Sequence, residues 1–249
     1  AYEIPKRDWS SDVCSSDLTP VALAGDEPLL IRQHTGVPVV VGRRRVAAAE
    51  ALLTAHPEVN VLIADDGLQH YALARDVEIL LCDERGHGNG WLLPAGPLRE
   101  APSRRFDFRV INGVPSVAEN TFVMQLQSSQ ARQLRDAKTE ISLTKLPVHA
   151  RIAAAAGIGN PTRFFKMLER LGVNLFHALP LPDHFDFSVN PFEHLDADFI
   201  LITEKDAVKC RHCEAIAADP RVWVVPVQAA IDGPLLTHLV EKLRGYPTA

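Results

Sequence analysis

The sequence predicts an α/β fold, a mostly parallel sheet flanked by helices in two lobes. Three observations carry that expectation: short β-branched apolar runs recur along the chain, helical patterns alternate with them, and two of the helices open at a proline and stop at a glycine. The runs are "VPVVVG" (37–42), "VNVLIADDG" (59–67), "VEILLCDE" (77–84), "FRVING" (108–113), "RIAAAAGIG" (151–159), "DFILITEKD" (198–206) and "VWVVPVQ" (222–228). Each has the length and bulk of a strand buried on both faces. Between them, "RRVAAAEALLTAH" (44–56) carries Ala and Leu at helical spacing. "NPTRFFKMLERLG" (160–172) begins with an Asn-Pro start, and "PLLTHLVEKLRG" (234–245) repeats the proline-to-glycine punctuation. Strand-helix alternation places helices on both sheet faces and gathers sites at the carboxyl ends of strands. Residues 118–147 break the rhythm. There "TFVMQLQ" and "EISLTKLPVHA" read as a two-stranded connector or hinge between a lobe of residues 19–117 and a lobe of residues 148–249.

The chain has 249 residues, 47% hydrophobic and 23% charged, a globular composition long enough to bury a sizeable core. A formal net charge of −5 gives no general nucleic-acid footprint, and the longest apolar runs are too short to span a bilayer. The four cysteines, Cys14, Cys82, Cys210 and Cys213, suit free thiols in a reducing compartment. "CRHC" (210–213) resembles half a zinc site with no second pair, so metal binding is not expected there.

The strongest local signal is "VLIADDGLQH", an apolar run ending in Asp65, Asp66 and Gly67. A carboxylate at a strand's carboxyl end can hold the Mg²⁺ of a nucleotide; an Asp-Asp-Gly turn that solvates its charges reads equally well. "GHGNGWLLPAGPLRE" (86–100) is a Gly/Pro-shaped loop ending in Arg99 and Glu100. These are either a fork for phosphate with a metal ligand or a surface ion pair. "AGDEP" (24–28) sets Asp26 and Glu27 before Pro28, an ordinary helix start. "PDHFDFS" (182–188) puts His184 beside Asp183, where a carboxylate can tune an imidazole. "GIGNP" (157–161) could meet an anion at a helix N-terminus or simply allow tight packing. "GRRR" (42–45) is a solvated face or a contact for phosphate or anionic membrane.

Taken together, "AGDEP", "ADDGLQHYALARDVEILLCD", "GNGWLLPAGPLRE", "AGIGNPTRFF", "PDHFDF" and "TEKDAVK" resemble the tetraacyldisaccharide 4'-kinase family, in that family's order, from Thr19 to the C-terminus. The resemblance implies a P-loop kinase-like fold. It also implies transfer of the γ-phosphate of ATP to the 4'-hydroxyl of an acylated glucosamine disaccharide 1-phosphate, giving lipid IVA. Mg²⁺ would be the cofactor and the cytoplasmic face of the bacterial inner membrane the location. Position by position, it implies Asp26 as catalytic base with His184 as its partner and Glu27 as the adjacent acid. Asp66 and Glu100 fall at magnesium-linked positions. Asp65, Gln69, His70 and Arg99 line the same site, and Arg45 matches the arginine that follows the family's "VVG" strand.

The start of the chain departs from that pattern. No Gly-Lys dipeptide occurs, so there is no G-x-x-x-x-G-K-[ST] loop to cradle the β- and γ-phosphates. The family's membrane-binding helix, first strand and Gly-rich loop are expected where "AYEIPKRDWSSDVCSSDL" stands instead. Read back through the genetic code, one frame of a short-read sequencing adapter and its index spacer accounts for Ala1 to Leu18. Residues 1–18 are therefore expected to be a non-native head on a truncated kinase with little activity and poor solubility. Two rival readings are a non-catalytic module that binds acylated disaccharide or anionic membrane, and a metal-dependent hydrolase using Asp65, Asp66 and His184.

Overall fold

The structure, a computed structural model, describes residues 25–83, 85–113, 120–231 and 233–245. The expected head, residues 1–18, lies outside the described residues. The chain divides into two compact units. The first holds Thr35–Gln125 and the stretch from Ala230 onward; the second holds Gly25–His34 and Leu126–Ala229.

The second unit is built on a six-stranded sheet in the order β5-β4-β9-β8-β6-β7. Its strands are β4 (Gln130–Gln133), β5 (Glu140–Ser142), β6 (Ile152–Ala156), β7 (Leu175–Pro180), β8 (Phe199–Thr203) and β9 (Val222–Val225). Strands β7, β6, β8 and β9 run parallel, while β4 is antiparallel to both β9 and β5. The period-2 alternation of a strand sorts side chains into two cores. Ala153, Ala155, Ile200, Ile202, Val222 and Val224 face one, packed with Phe187, Phe192, Ala207 and Cys210. Ile152, Ala154, Ala156, Leu201, Trp223 and Val225 face the other, packed with Phe164, Phe165 and Leu168. Those last three come from the amphipathic helix at Pro161–Arg170, whose proline sits in the first turn and whose exit at Gly172 takes φ +84°.

The expected run 198–206 is two elements. β8 ends at Thr203, where the hydroxyl accepts the Asp206 N–H at 3.1 Å and caps a new helix over Glu204–Cys210. The cap stops the strand because Thr203 commits its side chain to the turn that starts the helix. Strand β7 is not among the expected runs; it is exposed at four of its six positions and carries His177 and Pro180 among its apolar residues.

The first unit carries a four-stranded sheet in the order β1-β2-β3-β10: Ile79–Asp83, Phe108–Asn112, Thr121–Gln127 and Gln228–Ile231. β1, β2 and β3 are parallel. Its core joins Phe108, Val110, Phe122 and Met124 to Leu235 of the C-terminal helix Leu235–Leu243, with the Phe108 and Phe122 rings edge-on at 6.0 Å. The stretch 118–147 thus supplies β3 to this sheet and β4 and β5 to the other.

Two expected strands do not form. In 37–42 only Val41 carries a bridge, and 59–64 forms no strand or helix before Asp65 and Asp66 turn. No described strand pairs with 59–64, and Ile63 is 93% exposed. An apolar run becomes a strand only where neighbours take up its N–H and C=O groups. The helical pattern between these runs does fold, as the helix Arg45–Ala55.

In chain order the helices are α1 (Asp26–Thr35), α2 (Arg45–Ala55), α3 (Pro161–Arg170), α4 (Glu204–Cys210), α5 (Glu214–Ala217) and α6 (Leu235–Leu243).

Candidate active site

In the second unit, Asp26 opens α1 as a buried carboxylate, its side chain 8% exposed. Its Oδ2 lies 3.7 Å from His184 Nδ1 and 3.1 Å from Lys209 Nζ on α4. The lysine contact is a close ion pair whose angles fall short of a hydrogen bond, so both Asp26 Oδ2 and Lys209 Nζ are buried without a hydrogen-bond partner. Beside it, Lys205 Nζ pairs with Glu27 Oε1 at 2.9 Å. Burial alone would raise the Asp26 carboxyl, but Lys209, and then Lys205, outweigh it and hold the group below the ordinary carboxylate range. The result is an ionised acceptor at neutral pH with two lysines close to it.

His184 is placed by a short relay of hydrogen bonds. Asp206, fully buried on α4, accepts the Gly157 N–H at 3.1 Å and the Thr203 hydroxyl at 2.7 Å on Oδ2. Gly157, just beyond β6, accepts the His184 N–H at 3.1 Å, and His184 takes the left-handed φ of +59°. Gly157 must lack a side chain, because a Cβ there would meet Asp206 Oδ1 at 2.9 Å and Phe185 Cβ at 3.2 Å. The "GIGNP" turn is therefore a packing device that carries the histidine loop. Burial raises the Asp206 carboxyl above its usual range.

In the first unit, the turn after Ala64 holds Asp66 at φ +48°. Arg99 Nη1 reaches both Asp66 oxygens at 2.8 Å and Gln69 Oε1 at 3.4 Å. Gln69 Nε2 donates to Glu100 Oε1 at 2.6 Å, and Arg104 donates to the other Glu100 oxygen and to Glu78. Arg75 also pairs with Glu78 and donates to the carbonyls of Gly67 and Leu68, stitching the Asp-Asp-Gly turn to β1. The Arg99-Glu100 pair ends a loop closed by Leu93 N–H to Leu98 O and Leu98 N–H to Trp91 O bonds. At Gly96 a Cβ would lie 2.2 Å from Asn89 Oδ1 and 2.4 Å from the Trp91 carbonyl, so this turn requires glycine. Burial raises the Glu100 carboxyl, but Arg104 and Gln69 outweigh it and hold it low.

The structure thus joins Asp26 with His184, sets Glu27 next to them, and links Asp66, Arg99, Gln69 and Glu100 in one chain of contacts. Asp65, His70 and Arg45 are not joined to those residues by any side-chain hydrogen bond or ion pair among the described residues; Arg45 is the first residue of α2. No cluster of three or more His, Cys, Asp or Glu able to hold a metal occurs among the described residues. Mg²⁺ needs only one or two carboxylates when phosphate and water complete its shell. Asp66 suits that role, since its pair with Arg99 is exposed and readily exchanged. Glu100 keeps lone pairs beyond the bonds it makes. Sequence reasoning missed Thr203, Lys205, Asp206 and Lys209. Their signal was the "TEKDAVK" segment itself, with lysines four apart on one helix face at the end of a strand.

The sequence profile of the family described as Tetraacyldisaccharide-1-P 4'-kinase matches residues 6–244, beginning inside the opening stretch. The tetraacyldisaccharide 4'-kinase of Herminiimonas arsenicoxydans is 55% identical over 260 aligned residues, covering 96% of this chain and 72% of that protein. That of Janthinobacterium sp. (strain Marseille) is 56% identical over 243, covering 93% and 70%. The crystal structure of LpxK from Aquifex aeolicus in complex with ATP aligns with a TM-score of 0.74 at 25% identity, covering 97% of this chain and 76% of that one. With most of its length matched at such identity, the chain belongs to the tetraacyldisaccharide-1-P 4'-kinase family.

Proposed function

We propose that this chain carries the acceptor-activating and charge-neutralising residues of a tetraacyldisaccharide 4'-kinase, which moves the γ-phosphate of ATP to the 4'-hydroxyl of a tetraacyldisaccharide 1-phosphate. The observation that carries the reading is the buried, ionised Asp26 beside His184, Lys209 and Lys205. A carboxylate in that state accepts the proton of an attacking hydroxyl, and the imidazole at 3.7 Å is near enough to tighten onto it when the substrate closes the site. Phosphoryl transfer also needs charge on the phosphates to be offset. Arg99 offers a planar fork for that, once released from Asp66. Asp66 and Glu100 would hold Mg²⁺, which when bound offsets phosphate charge; Gln69 and Arg104 keep Glu100 aimed. The acyl chains of the acceptor place the reaction at a membrane surface, on the cytoplasmic face of the inner membrane, where ATP is available. The attachment we propose is peripheral; among the described residues no helix is long and apolar enough to cross a membrane.

These 249 residues alone are expected to phosphorylate poorly, because they contain no phosphate-cradling Gly-Lys loop. The test joins a complete family N-terminal segment ahead of Thr19 and measures ATP- and Mg²⁺-dependent phosphorylation of tetraacyldisaccharide 1-phosphate by mass spectrometry. Transfer is expected, with Asp26→Asn lowering kcat by about 10²–10⁴-fold. A folded fusion that binds the lipid yet transfers nothing would instead favour the non-catalytic binding module.

A further inference from the structure

Lys209 and Asp26 each bury a polar atom that no hydrogen bond satisfies, and the two atoms face each other at 3.1 Å. Burying an unpaired ammonium or carboxylate is unfavourable, and each of these is offset by the other. We propose that Lys209 is the positioning residue of the Asp26–His184 pair, its buried ammonium fixing the Asp26 carboxylate opposite the imidazole. The proposal rests on the kinase reading for its consequence, though not for its geometry.

Three features make the lysine a fixed point. Helix α4 is anchored at its first turn by the Thr203 cap and by the Asp206–Gly157 bond. Lys209 follows Asp206 by three residues, so both project from one face of that helix. The same anchor, through Gly157, holds His184. One short helix therefore sets both partners: Asp206 places the imidazole through the backbone, and Lys209 places the carboxylate through charge. Lys205 is already committed to Glu27.

The groups facing Asp26 are Lys209 and Lys205 from α4, His184 and Asp183 from the loop after β7, and Glu27 from its own helix; Asp186 acts on Lys209 from the same loop. Removing the Lys209 charge leaves burial as the larger influence, so the Asp26 proton should come off at higher pH. A side chain that merely filled space would leave the titration where it is.

The primary measurement is an NMR pH titration of the Asp26 side-chain carboxyl in the 249-residue chain, as wild type, Lys209→Met and Lys209→Arg. Asp26 should titrate below the ordinary carboxylate range in the wild type. It should move up by about one unit or more in Lys209→Met, and stay near the wild-type value in Lys209→Arg. Wild-type Asp26 titrating at or above the ordinary range overturns the proposal even if the methionine variant does not fold. So does a folded Lys209→Met with an unmoved titration. In the fusion with a complete N-terminal segment, the acid limb of kcat/KM should move up in Lys209→Met with KM for ATP unchanged. A raised KM with an unmoved limb would instead make Lys209 a phosphate contact and remove the positioning role. Absence of activity from every fusion would count against the kinase reading, while the Asp26 titration would still decide the positioning role by itself.

Discussion

In the second unit, β6 and β8 are enclosed on both faces, each face packed by aromatic and aliphatic side chains from helices and loops. In the first, β1 lies at a sheet edge with Leu81 61% exposed, and the apolar run before Asp65 has no ladder among the described residues. The two units have similar sequence texture, rich in Val, Leu, Ile and Ala. Apolar patterning states which segments would gain by burial; neighbours on both sides and cover on both faces decide which segments realise that gain. The candidate side chains within each unit differ in the same way. The Asp26–Lys209 pair is buried, 8% and 14% exposed, whereas Asp66 and Arg99 form an exposed pair on a turn and a loop, 68% and 57% exposed.

The contrast can be broken most sharply by core truncation. Leu168→Ala in α3, fully buried, should cost about 2–5 kcal/mol in urea unfolding, while Leu81→Ala should stay within about 0.5 kcal/mol. Equal costs would mean that the exposed face of β1 is covered in solution. A smaller effect compares the two glycine turns. Gly96→Ala and Gly157→Ala each force a Cβ into backbone or a buried side chain and should cost about 1–3 kcal/mol. Hydrogen exchange should show the loss around residues 89–98 in the first case and around Phe185 and Asp206 in the second.

Much of the fold was legible because its signals are local. Five apolar residues at 152–156 followed by a glycine turn, and Asn-Pro before an amphipathic face at 161–170, need no distant partner to be read. The runs at 37–42 and 59–64 carried the same signal, but their outcome depended on strands elsewhere. The site was legible in its motifs and not in its joints. Asp26 and His184 stand in recognisable segments, yet nothing near either one announces Lys209, because that contact exists only once α1 packs beside α4. Asp206 was hidden for a related reason: read as the end of a strand, it should be exposed, and only the Thr203 cap turns it inward.

Acid should separate the units further. Glu100 is held low by Arg104 and Gln69 against its burial, and Asp107 by Lys242 and the Glu78 N–H against its burial. For such groups the stabilisation is complete above the unfolded value, about 4, and is lost as pH falls through the lowered folded value. Asp26 and Asp219 behave likewise in the second unit. Asp206, raised by burial, has the opposite sign: its favourable contribution is full below the unfolded value and lost as pH rises through the folded one. Thermal melts between about pH 3 and 6 should therefore show a steeper acid loss in Asp206→Asn than in the wild type. A shallower loss would assign Asp206 the wrong protonation.

The smallest effect on stability is expected at Arg99. An exposed ion pair contributes about 0–1 kcal/mol, so Arg99→Ala should barely move the melting curve, in low salt or high. In the active fusion the same change should lower kcat/KM by about 10²-fold or more, since the phosphates lose a fork of donors. A large melting shift with unchanged catalysis would make the pair a structural tie.

Strand β6 shows only methyl groups to its surroundings from Ala153 to Ala156, two upward and two downward. It behaves as a shim: the thickness of the slab between the α3 layer and the α4 layer is set by the thinnest side chains that still exclude water. Because Gly157 continues directly from this strand, widening it by one branched residue would lift the turn and carry His184 out of reach of Asp26. The spacing of Asp26 and His184 thereby depends on four alanines in a strand to which neither residue belongs.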